Sequence, residues 1–409
     1  MGLGSGLFVI VICLSGTLYV YQAEMKEWAA PELYQVVPKP GASRIAPELL
    51  IEKVQQTSGG KVAGVTVPHT STASYKYNVR KKGDDSKQGI TYMVHPYTGE
   101  ILGNTIRKNG MDEFLSTLFS LHRWLLLDKV EQPIVGDLPN RKLGSYITGG
   151  ITIIFTLGCI TGIIIWFPNK LKTWKQGLKI KVNGNGKRLN YDLHNTLAFY
   201  SLLFLLVMGI TGPQWSYEWY RDGLQKALGT YKPEAPKEAS EKERMKGAKS
   251  QAGAEKEKTK DRNKPTLFPI SQYLIVANKQ LPYEGNYQIQ FPKEAGKPVM
   301  VTKTKVGFFA PAAGDKLSFD PQTAALKKVE IFRNKPLNER IAGSIKALHI
   351  GTVYGGFTKL LYFLACLIAT SLPITGTLIW WNKWRKKNIG KSRPLYNVNK
   401  RKEGMMVTE

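Results

Sequence analysis

The sequence contains five histidines, and three of them have a similar setting. His122, His194 and His349 each follow a leucine at the edge of an apolar run, in "SLHRWLLL", "YDLHNTLAFY" and "KALHIGTVYGG". A neutral imidazole is a common metal ligand, and it is also a hydrogen-bonding group that suits a membrane edge. The repeated Leu-His step favours ligation over the plainer interfacial role.

Four apolar stretches would place these histidines at a membrane. A helix needs about 20 apolar residues to cross a bilayer. The stretches are residues 2–21, 145–167, 193–212 and 357–381. The last one continues a helix that we expect to start outside the bilayer, so residues 341–381 form one unit. We expect Pro373 to bend this helix, which neighbouring helices can accommodate.

The basic residues indicate how the spans are oriented. Lysine and arginine dominate residues 168–192 and 382–409, and the positive-inside rule places such segments in the cytoplasm. Residues 22–144 and 213–340 are then expected on the outer, periplasmic side. The formal net charge of +27 fits this arrangement. No nucleic-acid fold signature offers another explanation for that charge.

The two outer segments repeat one pattern, which indicates a duplicated module. Each has a helix followed by strands and a turn, with "VHPYTGEIL" and "FDPQTAALK" at equivalent places. The second segment also contains a charged stretch, residues 236–265, predicted to be a mobile linker. The spans end alike in "LSGTLYVY", "ITGIIIW", "ITGPQW" and "ITGTLIW". We interpret these ends as a packing motif of small and hydroxyl-bearing residues.

These motifs resemble the PepSY-associated transmembrane proteins of bacterial inner membranes. The resemblance is carried by "VHPYTGEIL", "LHRWLLL", "YDLHNTLAFY", "ALHIGTVYGG" and the Thr-Gly-x-x-x-Trp span ends, and it covers nearly the whole chain. It implies an α+β membrane protein with four transmembrane helices and two small α/β PepSY-like periplasmic domains. It also implies b-type haem held between histidines. Characterised relatives include reductases that release iron from ferric siderophores.

The sequence is compatible with such haem sites. Iron in b-type haem needs axial donors, usually neutral imidazole, in a largely apolar pocket. His122 and His349 are both expected on the outer side, where they would form an axial pair. His194 precedes Thr211 by roughly 26 Å of helix, so it is expected near the cytoplasmic side, without a histidine partner. We therefore expect one or two haem b groups.

A second haem would need a fourth ligand. The chain begins directly inside an apolar run, with no lysine or arginine before it. We hypothesise that the native start lies upstream of Met1 and supplies both a basic flank and the missing ligand. Covalent haem attachment is excluded because Cys13, Cys159 and Cys366 all lie in predicted spans and no Cys-x-x-Cys-His motif is present.

Other polar residues have weaker assignments. Arg123 and Lys359 could pair with haem propionates, because cations satisfy carboxylates well at an interface. Lys359 could equally extend to the lipid headgroups. His69 and His95 lie in the first outer segment, and we interpret both as surface residues.

The expected function is electron transfer to an oxidised periplasmic acceptor. Ferric siderophore iron is favoured, because one-electron reduction weakens a hard, oxygen-based chelate. Residues 382–409 are too short for a flavin or nicotinamide domain, so the electron donor would be a quinol or a cytoplasmic reductase. The alternative is a haem-free membrane anchor whose PepSY modules bind a peptidase or another periplasmic partner.

Overall fold

The structure is a computed structural model that describes residues 2–81, 89–167, 174–175, 177–233, 268–292, 294 and 297–391. The predicted linker, residues 236–265, lies outside this part. The α-helices are α1 (Gly2–Tyr19), α2 (Gln22–Ala29), α3 (Pro31–Tyr34), α4 (Ile51–Ser58), α5 (Gly110–Trp124), α6 (Asn140–Trp166), α7 (Gly186–Thr211), α8 (Glu218–Ala227), α9 (Ile270–Gln280), α10 (Leu337–Gly343), α11 (Ile345–Ile350) and α12 (Gly355–Lys391). The strands are β1 (Lys61–Val67), β2 (Tyr75–Arg80), β3 (Ile90–Val94), β4 (Ile101–Asn104), β5 (Gly285–Gln290), β6 (Val299–Lys305), β7 (Asp315–Phe319) and β8 (Leu326–Glu330).

Three helices are long and apolar enough to cross a membrane. In the described part of the chain they cover Asn140–Trp166, Gly186–Trp215 and Gly355–Lys387. Helices α1 and α2 add a fourth span if they are counted together, since they meet at an angle of 52°. The spans Gly186–Trp215 and Gly355–Lys387 contain the predicted stretches 193–212 and 357–381, whereas α1 and α6 end two residues and one residue before the predicted ends at 21 and 167. Pro373 lies inside α12, which continues past it.

The long helices pack into one bundle. Helix α12 lies along both α1 and α7, while α5 packs across α1 and α6. Leu205 of α7 is buried against the small side chains of Ala365 and Ala369 in α12. Small residues allow such close approach between membrane helices. The bundle therefore brings the ends of α5, α7 and α11 to the same region.

The strands form a single antiparallel sheet of eight strands in the order β4-β3-β2-β1-β5-β6-β7-β8. Each half has the predicted succession of a helix and strands, with α4 before β1 and α9 before β5. Buried and more exposed residues alternate along β2 and β5, as expected for strands with one face on a core. The two predicted domains are thus two halves of one continuous sheet.

The two halves join where β1 pairs with β5. Gly64 lies opposite Gln290 and Val67 opposite Tyr287 in this pairing. The junction is tight, because a Cβ built on Gly64 would lie 2.6 Å from the carbonyl oxygen of Ile289. One hydrophobic core runs beneath both halves. Burial of this shared core explains why the two halves form one unit rather than two independent domains.

The sheet is attached to the membrane bundle at the start of α12. The loop after β6 accepts a hydrogen bond at the carbonyl oxygen of Phe308 from the N–H of Phe357 (3.1 Å). In the same region, the N–H of Ala312 donates to the carbonyl oxygen of Val353 (3.2 Å). These backbone bonds connect the second half of the sheet to the segment that joins α11 to α12.

Candidate functional site

Helix α5 carries His122 in its last turn. The helix starts at a capping box, in which Asn109 accepts from the N–H of Asp112 and the Asp112 carboxylate accepts from the N–H of Asn109. It ends at Leu125 and Leu126, which both adopt left-handed backbone conformations with φ of 54° and 62°. Such conformations are costly for residues other than glycine. The sharp ending turns the chain away directly after His122 and Arg123.

His349 is placed by the short helix α11. This helix ends at Gly351, whose φ is +75°. A side chain at this position would also collide with Tyr362, since a Cβ would lie 2.4 Å from the tyrosine Cγ. Both the backbone conformation and the packing therefore require glycine here. The result is that α11 lies against α7 with His349 at the contact.

The structure brings His122 and His349 together. Their ring centroids are 6.3 Å apart and the ring planes are inclined by 51°. Both imidazoles are half-buried. These two residues are 227 positions apart along the chain, so only the packing of α5 and α11 on the bundle can bring them together. The two histidines that the sequence predicted to pair are therefore neighbours in the structure, while iron ligation and their side of the membrane stay predictions.

Both imidazoles are held through Nδ1. His122 Nδ1–H donates to the carbonyl oxygen of Ile12 (2.9 Å). His349 Nδ1 is 3.2 Å from the carbonyl oxygen of Met208 and 3.1 Å from Thr211 Oγ1. A carbonyl oxygen can only accept a hydrogen bond, so we infer that the proton of each neutral ring is on Nδ1. This tautomer leaves the lone pair of Nε2 available to a ligand.

A glycine lies beneath each ring. A Cβ on Gly16 would be 2.9 Å from Cε1 and Nδ1 of His122, so this contact requires glycine, whereas a Cβ on Gly212 would be 3.4 Å from Cε1 of His349, an ordinary van der Waals distance. The carbonyl that accepts from each ring belongs to the residue four positions before the glycine, Ile12 or Met208. We call these positions glycine notches. Both glycines belong to the repeated span ends, whose sequence we interpreted only as a packing motif.

His194 has the same arrangement at the other end of the bundle. Its Nδ1 lies 2.8 Å from Thr375 Oγ1, and a Cβ on Gly376 would be 3.3 Å from its Cε1. The Thr375 hydroxyl donates to the carbonyl oxygen of Ser371 (3.0 Å), so it accepts from His194 Nδ1–H. Gly376 is therefore a third glycine notch. About 27 Å of helix separates His194 from Gly212, which is near the outer pair.

The fourth span end, in α6, leads into a cavity. A Cβ on Gly162 would meet no atom within 4 Å. Gly162 and His194 line the same cavity of about 620 Å³, with Trp166, Phe199 and other mostly apolar residues around it. Within the described residues, His194 is the one histidine in its lining. The structure thus places His194 beside open space of the size of a small-molecule site.

Arg123 lies next to the histidine pair. Its guanidinium donates to Ser145 Oγ (2.9 Å), to Ser216 Oγ (3.0 Å) and to the carbonyl oxygen of Trp215. The Trp215 ring lies 5.0 Å from the ring of His349. Arg123 therefore connects α5 with α6 and with the turn after α7. The positive charge of Arg123 therefore lies close to the histidine pair. Pairing of Arg123 with a haem propionate stays a prediction.

Lys359 has a different partner. Its ammonium donates to both carboxylate oxygens of Glu24 (2.6 and 2.7 Å) and lies 4.8 Å from the centroid of the Tyr21 ring. The Lys359 side chain is 10% exposed, whereas that of Glu24 is 55% exposed. This ion pair joins α12 to α2. Pairing with a haem carboxylate remains a prediction for Lys359.

Burial keeps both histidines of the pair uncharged. Removal from water lowers the pKa of His122. The pKa of His349 is lowered to about 3, mainly by burial and then by the neighbouring His122. Both rings are therefore neutral at neutral pH. A neutral imidazole is the form that binds a metal.

The two remaining histidines belong to the sheet. His69 Nε2 is 3.4 Å from Glu284 Oε2, and the His69 side chain is 40% exposed. His95 Nδ1 accepts hydrogen bonds from the N–H groups of Tyr97 and Thr98, both at 3.2 Å. His69 thus lies at the surface and His95 stabilises a turn.

Comparison with known proteins supports the relationship that the motifs suggested. A family model described as "PepSY-associated TM region" matches residues 1–383. The match includes all the long helices up to the last turns of α12, together with the whole sheet. The comparison with curated proteins gave no match.

Proposed function

Since the chain belongs to the family of PepSY-associated transmembrane regions, we propose that this multi-pass membrane protein binds b-type haem and transfers electrons. Its acceptor would be an oxidised compound in the periplasm, with ferric siderophore iron favoured. The observation that carries the proposal is the pairing of His122 and His349 at 6.3 Å between ring centroids. The membrane would be the bacterial inner membrane, with the sheet on its outer side.

The spacing of the two rings fits haem iron. A metal–imidazole bond is about 2 Å long and the ring centre lies about 1 Å beyond the nitrogen, so two imidazoles that hold one metal ion between them have centroids about 6 Å apart. His122 and His349 would together hold the iron of a b-type haem. Two imidazoles alone would be too few for an ordinary structural metal site. The pair therefore suits haem better than a bare ion.

The surroundings of the two rings also support ligation. Metal-bound histidine almost always donates its other N–H to a carbonyl or carboxylate, which fixes the ring and makes it a stronger donor. His122 and His349 both do this through Ile12 and Met208. The glycine notches set the distance of each ring from its helix. Arg123 would neutralise a propionate at this site.

In this proposal the protein's own residues fix the electron path. A bound haem would supply reversible one-electron transfer between ferric and ferrous iron. His122 and His349 would hold the iron, and burial of both rings among apolar helices would exclude water and set the reduction potential. Transfer of one electron to a ferric chelate weakens its bonds to hard oxygen ligands and allows iron release.

The site at His194 has one histidine in its cavity lining within the described residues. His194 would hold a second haem in the cavity that it shares with Gly162, provided that another ligand is supplied. Its Nδ1–H is fixed by Thr375 as in the outer pair. Electrons would reach this side from a quinol or a cytoplasmic reductase. The outer pair does not depend on this second site for its geometry.

Reoxidation kinetics would test the proposal. Purified full-length protein is reduced anaerobically and mixed with a ferric hydroxamate siderophore in the presence of a ferrous-iron chelator. We expect reoxidation of a b-type haem spectrum together with formation of the ferrous complex. A reduced spectrum that persists would reject siderophore reduction. Absence of any haem spectrum would favour the alternative, a haem-free binding module.

A further inference from the structure

Lys303 is a buried cation in the sheet that the proposed electron transfer does not use. It lies on β6 and is 1% exposed. Its ammonium donates to Asn278 Oδ1 and to the carbonyl oxygen of Leu281, both at 2.8 Å. The ring centroids of Tyr283 and Tyr287 lie 4.9 and 4.8 Å from it. Both of these hydrogen-bond acceptors are neutral, and an ammonium has three N–H donors.

Lys303 lines a cavity at the junction of the two half-sheets. The cavity has a volume of about 580 Å³ and lies where β1 pairs with β5. Val67, Pro68 and His69 line it from the first half, while Tyr283 and Tyr287 line it with Lys303 from the second. Ligand sites commonly form at such junctions between structural units.

The charges around the cavity favour an anion. Lys303 and Arg44 bring two positive charges to the lining, against the single carboxylate of Glu284. Arg44 is held in place by hydrogen bonds to the carbonyl oxygens of Pro68 (2.8 Å) and Thr70. Burial lowers the pKa of Lys303, because removal from water disfavours the charged ammonium. A buried cation is stabilised by a directly bonded anion.

We propose that this cavity binds a small organic carboxylate, with the third N–H of Lys303 donating to the carboxylate group. A carboxylate is favoured over inorganic phosphate because only one donor is free at Lys303, whereas phosphate sites usually offer several N–H groups. The walls formed by Val67, Pro68 and the two tyrosines suit a carbon skeleton. This site goes beyond the proposed electron transfer and does not depend on it.

Ligand binding to full-length protein in detergent tests this site. Benzoate is the probe, benzamide is its uncharged analogue, and binding is followed by saturation-transfer NMR. The decisive variant is Lys303→Met, which removes the charge and shortens the side chain by one heavy atom. Lys316→Met is the matched control, because Lys316 is exposed on β7 and does not line the cavity.

We expect saturable binding of benzoate. Benzamide should bind about tenfold more weakly, because it cannot form the charge-assisted hydrogen bond with Lys303. Lys303→Met should abolish binding and Lys316→Met should retain it. Saturable binding that Lys303→Met leaves intact, or no binding to the unchanged protein, would overturn the proposal.

A second variant keeps the test valid if Lys303→Met fails to fold. Glu284 is 79% exposed, so Glu284→Gln should fold normally. Removing its negative charge should strengthen benzoate binding by about twofold, a modest effect because exposed charges are screened. Unchanged or weaker binding in this variant would count against the site.

Haem spectra of Lys303→Met and Glu284→Gln should match that of the unchanged protein. This control separates the carboxylate site from the electron-transfer proposal.

Discussion

Gly16 lies directly beneath the imidazole of His122, so that a Cβ on this glycine would be 2.9 Å from two ring atoms. The ring occupies the space of the missing side chain and reaches the carbonyl oxygen of Ile12. Gly376 and His194 are related in a similar way, with a Cβ 3.3 Å from the ring, while the contact between Gly212 and His349 is looser at 3.4 Å. Three span ends with similar sequences therefore each receive a histidine from another helix.

Gly16→Ala should displace His122 and weaken haem binding. Overpacking of a filled site costs about 1–3 kcal/mol, which corresponds to a loss of affinity of about tenfold. Haem bound per chain, measured after purification under limiting haem, reports the effect. Gly4→Ala is the control in the same helix, because a Cβ there meets nothing within 4 Å. Equal haem content in both variants would contradict the role of the notch.

Arg123→Gln should lower the midpoint potential of the outer haem. Loss of a nearby positive charge favours ferric over ferrous haem, by about 1 kcal/mol or about 40 mV for one electron. Spectroelectrochemical titration measures this shift. Arg221→Gln is a suitable control, since Arg221 pairs with Asp222 and belongs to α8. A potential that stays the same in Arg123→Gln would argue against a charge contact with the haem.

Glu24→Gln should destabilise the bundle more than Lys359→Met does. The first change leaves a nearly buried ammonium without its carboxylate, while the second removes the buried charge itself. Because Glu24 is half-exposed, we expect a loss of about 1–2 kcal/mol rather than the larger value for fully buried pairs. Denaturant unfolding in detergent would show the difference.

The haem content of the Lys359→Met protein tests whether Lys359 also contacts a haem propionate. If Lys359 served only the ion pair with Glu24, haem content would be unchanged. A clear decrease, without a comparable decrease in Glu24→Gln, would assign Lys359 to a propionate. The two variants together therefore separate the structural role from the cofactor role.

Acid should destabilise the haem-free protein through the histidine pair. The pKa of His349 is lowered to about 3 in the folded protein, whereas an unfolded histidine titrates near 6.5. Below pH 6.5 the unfolded chain binds more protons, so stability falls as the pH decreases from 6.5 towards 3. Thermal unfolding of protein made without haem should show this fall. His349→Gln should reduce the slope, and an unchanged slope would refute the assignment.

The membrane helices could be predicted from sequence because bilayer thickness sets their length. The predicted apolar stretch 193–212 lies within the span Gly186–Trp215, and the repeated Leu-His steps identified three histidines that share one setting. The pairing of His122 with His349 also followed, since both were expected on the same side of the membrane.

Other features depend on contacts that no local pattern encodes. The pairing of β1 with β5 joins segments more than 200 residues apart, and nothing in either strand indicates its partner. The glycine notches were visible as repeated Ser-Gly and Thr-Gly steps but were interpreted as helix packing, because the ring that fills each notch comes from a distant helix. The Glu24–Lys359 pair was missed for the same reason.

Absorption and low-temperature EPR spectra of the purified full-length protein would show whether His122 and His349 hold haem. We expect a low-spin b-type haem with two imidazole ligands, which His122→Ala and His349→Ala each abolish at this site. His69→Ala, a change in the sheet, should leave the spectrum intact. Protein that remains colourless after expression with ample haem, or a bis-imidazole signal of undiminished intensity in both variants, would show that His122 and His349 do not hold haem.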